Sequence, residues 1–301
     1  MTAGAASGGW VDRLTLGRRR PAASSAAAWP KGTRLIELPD ATIRVREAGK
    51  GERVVLLTPD APVVLENYDR LIDLLAREVR VVCFEFPGCG FSFPRWDFDF
   101  SLERYVGIVR GVMDALAIER ATLAFTCVNA SVAMAFARLY PGRVERLMLA
   151  QVAGVEEMRA FALRIDGRLG PIPLLHTPVL GQLFMMARRD FAARTWFRRA
   201  LPKGFDVDSI WDVTRRVYER GGQFCMASIV QCHARVEAEQ VTAPDCEAHV
   251  FWGDADRTHR ETRKESVLAQ LPRGRLHFLD ERGHCPDIEA PDAYARLLLD
   301  A

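Results

Sequence analysis

The sequence predicts an α/β protein: a mostly parallel, doubly wound sheet with an inserted helical cap. Three observations carry this. Between residues 53 and 150, short runs of continuous apolar residues alternate with segments of helical spacing, and a strand that is apolar throughout is one buried on both faces. From about residue 155 to 241 the alternation stops and only helical spacing remains, broken by Pro171-Ile172-Pro173 and Pro202-Lys203-Gly204. It resumes at His249 and continues to Leu299, which places the helical stretch between two strands of one sheet.

Taken in order, residues 1–32 are rich in Ala, Gly, Ser and Arg with one short apolar patch at Trp10 to Leu16, and read as a mobile arm with room for one short helix. Arg34 to Leu38 and Thr42 to Glu47 alternate apolar and polar residues across Pro39-Asp40-Ala41, an antiparallel hairpin at the sheet edge. Arg53 to Leu57 and Val79 to Phe86 read as buried strands, with a helix over Val64 to Val79 between them. Ser101 is the N-cap of a helix running to Leu116. Ala121 to Phe125 is a strand, a helix follows to Tyr140, and Val144 to Ala150 is the next strand. Helices are expected over Glu156 to Leu169, Val179 to Ala200 and Asp208 to Glu237. Strands His249 to Gly253 and Arg275 to Leu279 alternate with helices Arg260 to Leu271 and Asp287 to Leu299. The expected division is an arm (1–32), a core (33–154 with 242–301) and a cap (155–241).

A net charge of +2 is too small to argue for a nucleic-acid partner. No apolar run approaches the roughly 18 residues of a membrane span. Seven scattered cysteines without a Cys-x-x-Cys pair read as reduced thiols, and Arg18-Arg19-Arg20 is followed by Pro-Ala-Ala-Ser-Ser rather than an apolar signal core. A cytoplasmic protein is expected.

The stretch that organises the chain is Leu123 to Ser131, a strand running into a helix through a turn of one or two residues with Cys127 at its apex. Such a turn exposes its apical side chain at the positive end of the helix, where a thiol is favoured as thiolate. Cys127 is the candidate nucleophile. No ligand spacing in the sequence matches a metal site, so neither metal nor cofactor is expected. His249 and His259 read as a solvated strand edge and loop. Phe184, Met185, Met186, Phe191, Trp196 and Phe197 read as cap core with part of the stripe lining an apolar pocket, and Arg188, Arg189, Arg194, Arg198 and Arg199 as its solvated face.

In this element order, over roughly residues 33 to 299, the chain resembles the α/β-hydrolase family, in the capped branch of epoxide hydrolases, haloalkane dehalogenases and carbon–carbon bond hydrolases. Phe84 to Ser92 is similar to that family's strand-end stretch of Asp, Pro-Gly-x-Gly and Ser, and Val132 to Val144 to the helix after its nucleophile. The resemblance implies a triad in the order nucleophile, acid, histidine. Within Phe251 to Asp256 it points to Asp256 as the acid, with Asp254 as alternative, and within Arg282 to Glu289 to His284 as the base. Backbone N–H groups of Asp60 and Val128 are the implied oxyanion donors. The chain departs from the family pattern with Phe125 and Asn129 in place of the small residues flanking the nucleophile, and with Thr58-Pro59-Asp60 where His-Gly is usual.

The expected function is a hydrolase or acyltransferase acting on an ester, thioester or lactone through an acyl-cysteine intermediate. Its substrate is a small acyl compound, free or carried on coenzyme A or a carrier protein. The rival expectation, prompted by the departures, is a hydrolase-fold protein without nucleophilic catalysis, acting as a ligand-binding protein or a non-covalent cyclase or lyase. A dehalogenase or epoxide hydrolase is a weaker third, because those relatives use Asp where this chain has Cys127.

Overall fold

A nine-stranded sheet runs through the computed structural model, which describes residues 8–16, 26–168, 172–243 and 245–300. Its strands are β1 (Thr33–Glu37), β2 (Ala41–Ala48), β3 (Val54–Thr58), β4 (Arg80–Phe84), β6 (Phe93–Pro94), β7 (Ala121–Phe125), β8 (Val144–Ala150), β10 (Ala248–Gly253) and β11 (Gly274–Leu279). Short β5 (Cys89–Gly90) and β9 (Gln223–Phe224) pair separately. The order is β1-β2-β4-β3-β7-β8-β10-β11, with β6 on β2. The hairpin β1-β2 is antiparallel, as is β2 against β4, and β4 through β11 are parallel. Alternate strand residues feed two core layers: Leu56, Val82, Leu123 and Val250 pack on one side, Val55, Val81, Ala124 and Phe251 on the other. That is why these strands read as unbroken apolar runs.

Between β8 and β10 lie helices Val155–Gly167, Leu180–Ala200, Val207–Glu219, Met226–His233 and Ala238–Val241. The single helix expected over Asp208 to Glu237 is divided, because Gly221 takes a φ of +100° and the chain turns into β9 before helix resumes. Arg260 to Leu271 holds only a short 3-10 segment, Lys264–Ala269. The closing helix is interrupted at Ala290, giving Pro286–Glu289 and Pro291–Asp300, since Pro291 cannot donate within a continuous helix. Within the arm, Gly9–Leu16 forms the short helix the sequence left room for; its Asp12 accepts from Ser228 Oγ at 2.6 Å, while Gly8 N donates to Gln231 Oε1 at 3.0 Å. These two bonds dock it on the Met226–His233 helix. Residues 1–7 and 17–25 of that arm, and Leu169 and Pro171 of the cap expectation, lie outside the described residues.

One buried ionic cluster locks the edge hairpin to the sheet centre. Arg44 of β2 is fully buried and donates from Nε and Nη2 to Glu85 at 2.8 and 2.5 Å, and from Nη1 and Nη2 to Glu66 at 2.7 and 2.9 Å. Glu85 also accepts from the backbone N–H groups of Leu65 and Phe91, so both carboxylate oxygens are satisfied. Gly90, at φ +49°, passes so close that a Cβ would lie 1.9 Å from Glu85 Oε1. Removing one partner of such a buried pair costs about 3–5 kcal/mol. Glu85→Ala should therefore lower the unfolding free energy measured by denaturant titration by that amount, whereas a change under about 1 kcal/mol would show that the Arg44 charge finds another partner.

Candidate active site

β7 ends at Phe125 and the helix begins at Val128 (to Leu139), with only two residues between, leaving Cys127 at the apex with φ +53° and ψ −123°. An L-residue adopts that region only when its surroundings impose it. Here Cys127 N donates to Ala150 O at 2.8 Å and Thr126 bridges Ala150, so β8 clamps the turn from its open side. The two departures from the family pattern are accommodated by packing. Phe125 sits wholly inside the core with its ring edge-on to Phe84 and Phe86, and Asn129 turns its amide away to donate from Nδ2 to Pro59 O at 3.0 Å.

The candidate acid and base arrive on neighbouring strand ends. After β10, Asp256 accepts from Thr258 N and Oγ1 at 2.7 and 2.6 Å. After β11, His284 Nδ1 donates to Asp256 Oδ2 at 2.9 Å. The loop carrying His284 is held by backbone contacts: His284 N to Ala200 O at 2.9 Å, Gln151 Nε2 to Gly283 O at 2.7 Å, and Glu289 accepting from Gly283 N and Cys285 N. Gly253 lies so close beneath it that a Cβ would meet Gly283 O at 2.1 Å. Asp254, the alternative acid, is exposed and accepts from Glu281 N instead.

A second carboxylate enters from β3. Asp60 is buried, its Oδ2 lies 3.6 Å from His284 Nε2, and its Oδ1 has no partner among the described residues. Thus the residue expected to offer a backbone N–H also brings its carboxylate to the candidate base. His259 corrects the sequence reading more sharply. It is fully buried, its ring stacked on Phe161 at 3.7 Å between centroids and nearly parallel to His284 at 5.2 Å. His249 is likewise buried, against His277 at 3.0 Å. The cap roofs the site with Phe161 and with Trp196, whose ring meets His284 edge-on at 5.1 Å. Of the expected cap stripe, Met186 and Phe191 point outward instead.

Burial sets the electrostatics. It pushes the Cys127 thiol up to about 11; the Asp60 charge adds to this, and His284 and the Val128 N–H only partly offset it. The thiolate expected from the helix N-terminus is therefore disfavoured at rest, because desolvation outweighs the dipole. Burial would lower His284, but Asp256, Cys127 and Asp60 together raise it well above the ordinary imidazole range. Burial raises Asp60 as well, against the pull of His284. Asp256 is held well below the usual carboxylate range, burial being outweighed by His284. His259, desolvated and beside His284, is driven strongly down and stays neutral.

The fold that carries this arrangement recurs in known proteins. The sequence profile of the alpha/beta hydrolase family matches residues 54–297. The chain belongs to that family. It is a hydrolase of this type, and the 2-hydroxy-6-oxononadienedioate/2-hydroxy-6-oxononatrienedioate hydrolase of Comamonas testosteroni is 26% identical over 270 residues, 86% of this chain and 90% of the relative. The 2-hydroxy-6-oxo-6-phenylhexa-2,4-dienoate hydrolase of Burkholderia cepacia is 26% identical over 267 residues, again 86% and 90%. In fold the hydrolase is similar to epoxide hydrolase A from Mycobacterium thermoresistibile, with a TM-score of 0.72 at 19% identity over 89% of this chain and 97% of that one. No helix among the described residues is long and apolar enough to cross a membrane.

Cys127, Asp256 and His284 thus meet at one sheet edge, with Val128 N–H and Asp60 beside them. The sequence offered no sign of His259 or Phe161 at the site, since neither lies in a motif, and Trp196 only as one member of the cap's apolar stripe. Alkylation of Cys127 by a small haloacetamide should climb from about pH 8 towards the thiol's pKa of about 11. Asp60→Asn removes a nearby negative charge, moves the profile to lower pH and speeds alkylation at pH 8 by about 3- to 10-fold, up to one unit of pKa. An unchanged or slower profile would contradict the assigned repulsion.

Proposed function

We propose that this hydrolase attacks the carbonyl carbon of an ester, thioester or lactone with Cys127, passing through an acyl-cysteine that water or another acceptor resolves. The observation that carries this is the approach of the Cys127 sulfur to within 4.8 Å of a ring nitrogen of His284, whose Nδ1 is fixed on Asp256 at 2.9 Å. Asp256 sets the tautomer and stabilises the imidazolium. Because His284 is protonated at rest, it first passes its Nε2 proton to Asp60, whose carboxyl is raised by burial. Nε2 then takes the thiol proton, sulfur attacks, and His284 returns the proton to the leaving group. Neutral Asp60 has become a donor, and with the Val128 N–H it serves the developing oxyanion. The substrate is a small acyl compound, free or on coenzyme A or a carrier protein, met in the cytoplasm. Similarity to hydrolases of 2-hydroxy-6-oxo dienoates adds ketone-bearing acids to the candidate substrates.

A second reading, a binding protein or non-covalent cyclase or lyase, draws on the Asp60 carboxylate, which opposes an oxyanion for as long as it is charged. Intact-protein mass spectrometry with a panel of acyl thioesters separates the two. The covalent reading expects one acyl adduct mapped to Cys127, held longer in His284→Ala, and a loss of turnover of about 1,000-fold or more in Cys127→Ala. Full turnover in Cys127→Ala, or no adduct on Cys127, would favour the non-covalent reading.

A further inference from the structure

Beyond its proposed nucleophilic role, Cys127 belongs to a cluster whose donor set has its own chemistry. Cys127 Sγ and one ring nitrogen each of His259 and His284 lie within 4.8 Å of one another, and all three residues are buried. The Nε2 atoms of both histidines are buried without a hydrogen-bond partner among the described residues. Their other nitrogens are engaged: His284 Nδ1 with Asp256 at 2.9 Å and His259 Nδ1 with Thr262 Oγ1 at 3.1 Å. Thr262 Oγ1 has two lone pairs, one taken by Arg164 Nη2 at 3.0 Å, which leaves the other free to accept His259 Nδ1–H in the tautomer a metal requires. Each ring, once neutral, then aims an Nε2 lone pair inward while an outer partner fixes its tautomer, which is how metal-bound imidazoles are held.

We propose that Cys127, His259 and His284 bind a thiophilic divalent cation of the zinc class, and that the bound ion silences the nucleophile. Two imidazole nitrogens and a thiolate suit zinc, and three protein ligands leave one position open. Bond lengths of about 2.0–2.3 Å require the side chains to close in by about 1 Å. The Asp60 carboxylate, 3.6 Å from His284 Nε2, adds negative charge beside the ion. Binding releases the thiol proton, and the proton on His284 Nε2, to solvent. The stacked Phe161 and edge-on Trp196 enclose the site in apolar surface, which strengthens the bonds to a cation once it has lost its water. A serine at position 127 would lack the sulfur on which this selectivity rests.

The test is titration of metal-free full-length protein with Co2+, followed by optical spectroscopy. One equivalent should give a near-ultraviolet thiolate-to-cobalt band, displaced by Zn2+ and absent in Cys127→Ser. His259→Phe keeps a ring against Phe161 and should weaken binding at least tenfold. In the unmodified protein, Zn2+ should slow Cys127 alkylation at least tenfold, which needs no variant to fold. Absence of the band, its persistence in Cys127→Ser, or full affinity in His259→Phe would overturn the assignment. Acyl-adduct formation is measured separately, in the presence of chelator, so failure of the covalent mechanism and failure of the metal site give different results.

Discussion

The placement of one imidazole governs this site. His284 lies between the two buried carboxylates, with Asp256 on its Nδ1 side and Asp60 with Cys127 on its Nε2 side. A ring between two carboxylates retains its proton. The same two carboxylates are buried, and the imidazolium between them offsets part of that cost, with Thr258 donating to Asp256 as well. The fold supplies the precision: parallel strands ending at one edge deliver Asp60, Cys127, Asp256 and His284 from β3, β7, β10 and β11, and no other edge of an open sheet brings four loops so close.

Exchange of a hydroxyl for a thiol at the turn alters what the surroundings must do. A serine depends on its base throughout, whereas a thiol becomes reactive on its own once ionised. The closed, dry setting works against that ionisation, and Asp60 adds to the cost. In the proposed mechanism, control of reactivity therefore sits with proton position among Asp60, His284 and Cys127 rather than with the helix terminus. His259 contributes a neutral face beside the charged ring, which limits how far water can enter from that side.

The parts that were legible in the sequence are those in which one local pattern has one structural meaning. Continuous apolar runs gave β3, β4, β7 and β8, Ser101 capped its helix by accepting from Arg104 N, and the loop positions of Cys127, Asp256 and His284 followed from motif order. Illegible were features made by distant contacts. Nothing local marks Asp60 as a side chain aimed at His284, or His259 as a stacked ring rather than a loop residue. The Asp208 to Glu237 region shows the converse limit: its apolar spacing suits one helix, but Gly221-Gly222 and the pairing of β9 with β5 override it. The thiolate expectation failed for a related reason, because burial is a property of the assembled cap and core.

The His284 loop and the cap meet through a bond from His284 N to Ala200 O. Both atoms belong to the main chain. Side chains along Leu180–Ala200 can change, altering the shape and polarity of the roof, without severing this link, and only a proline at position 284 deletes its donor. The cap is thus a replaceable part on a fixed mount: its inner surface is open to redesign for new ligands while the His284 ring keeps its bearing.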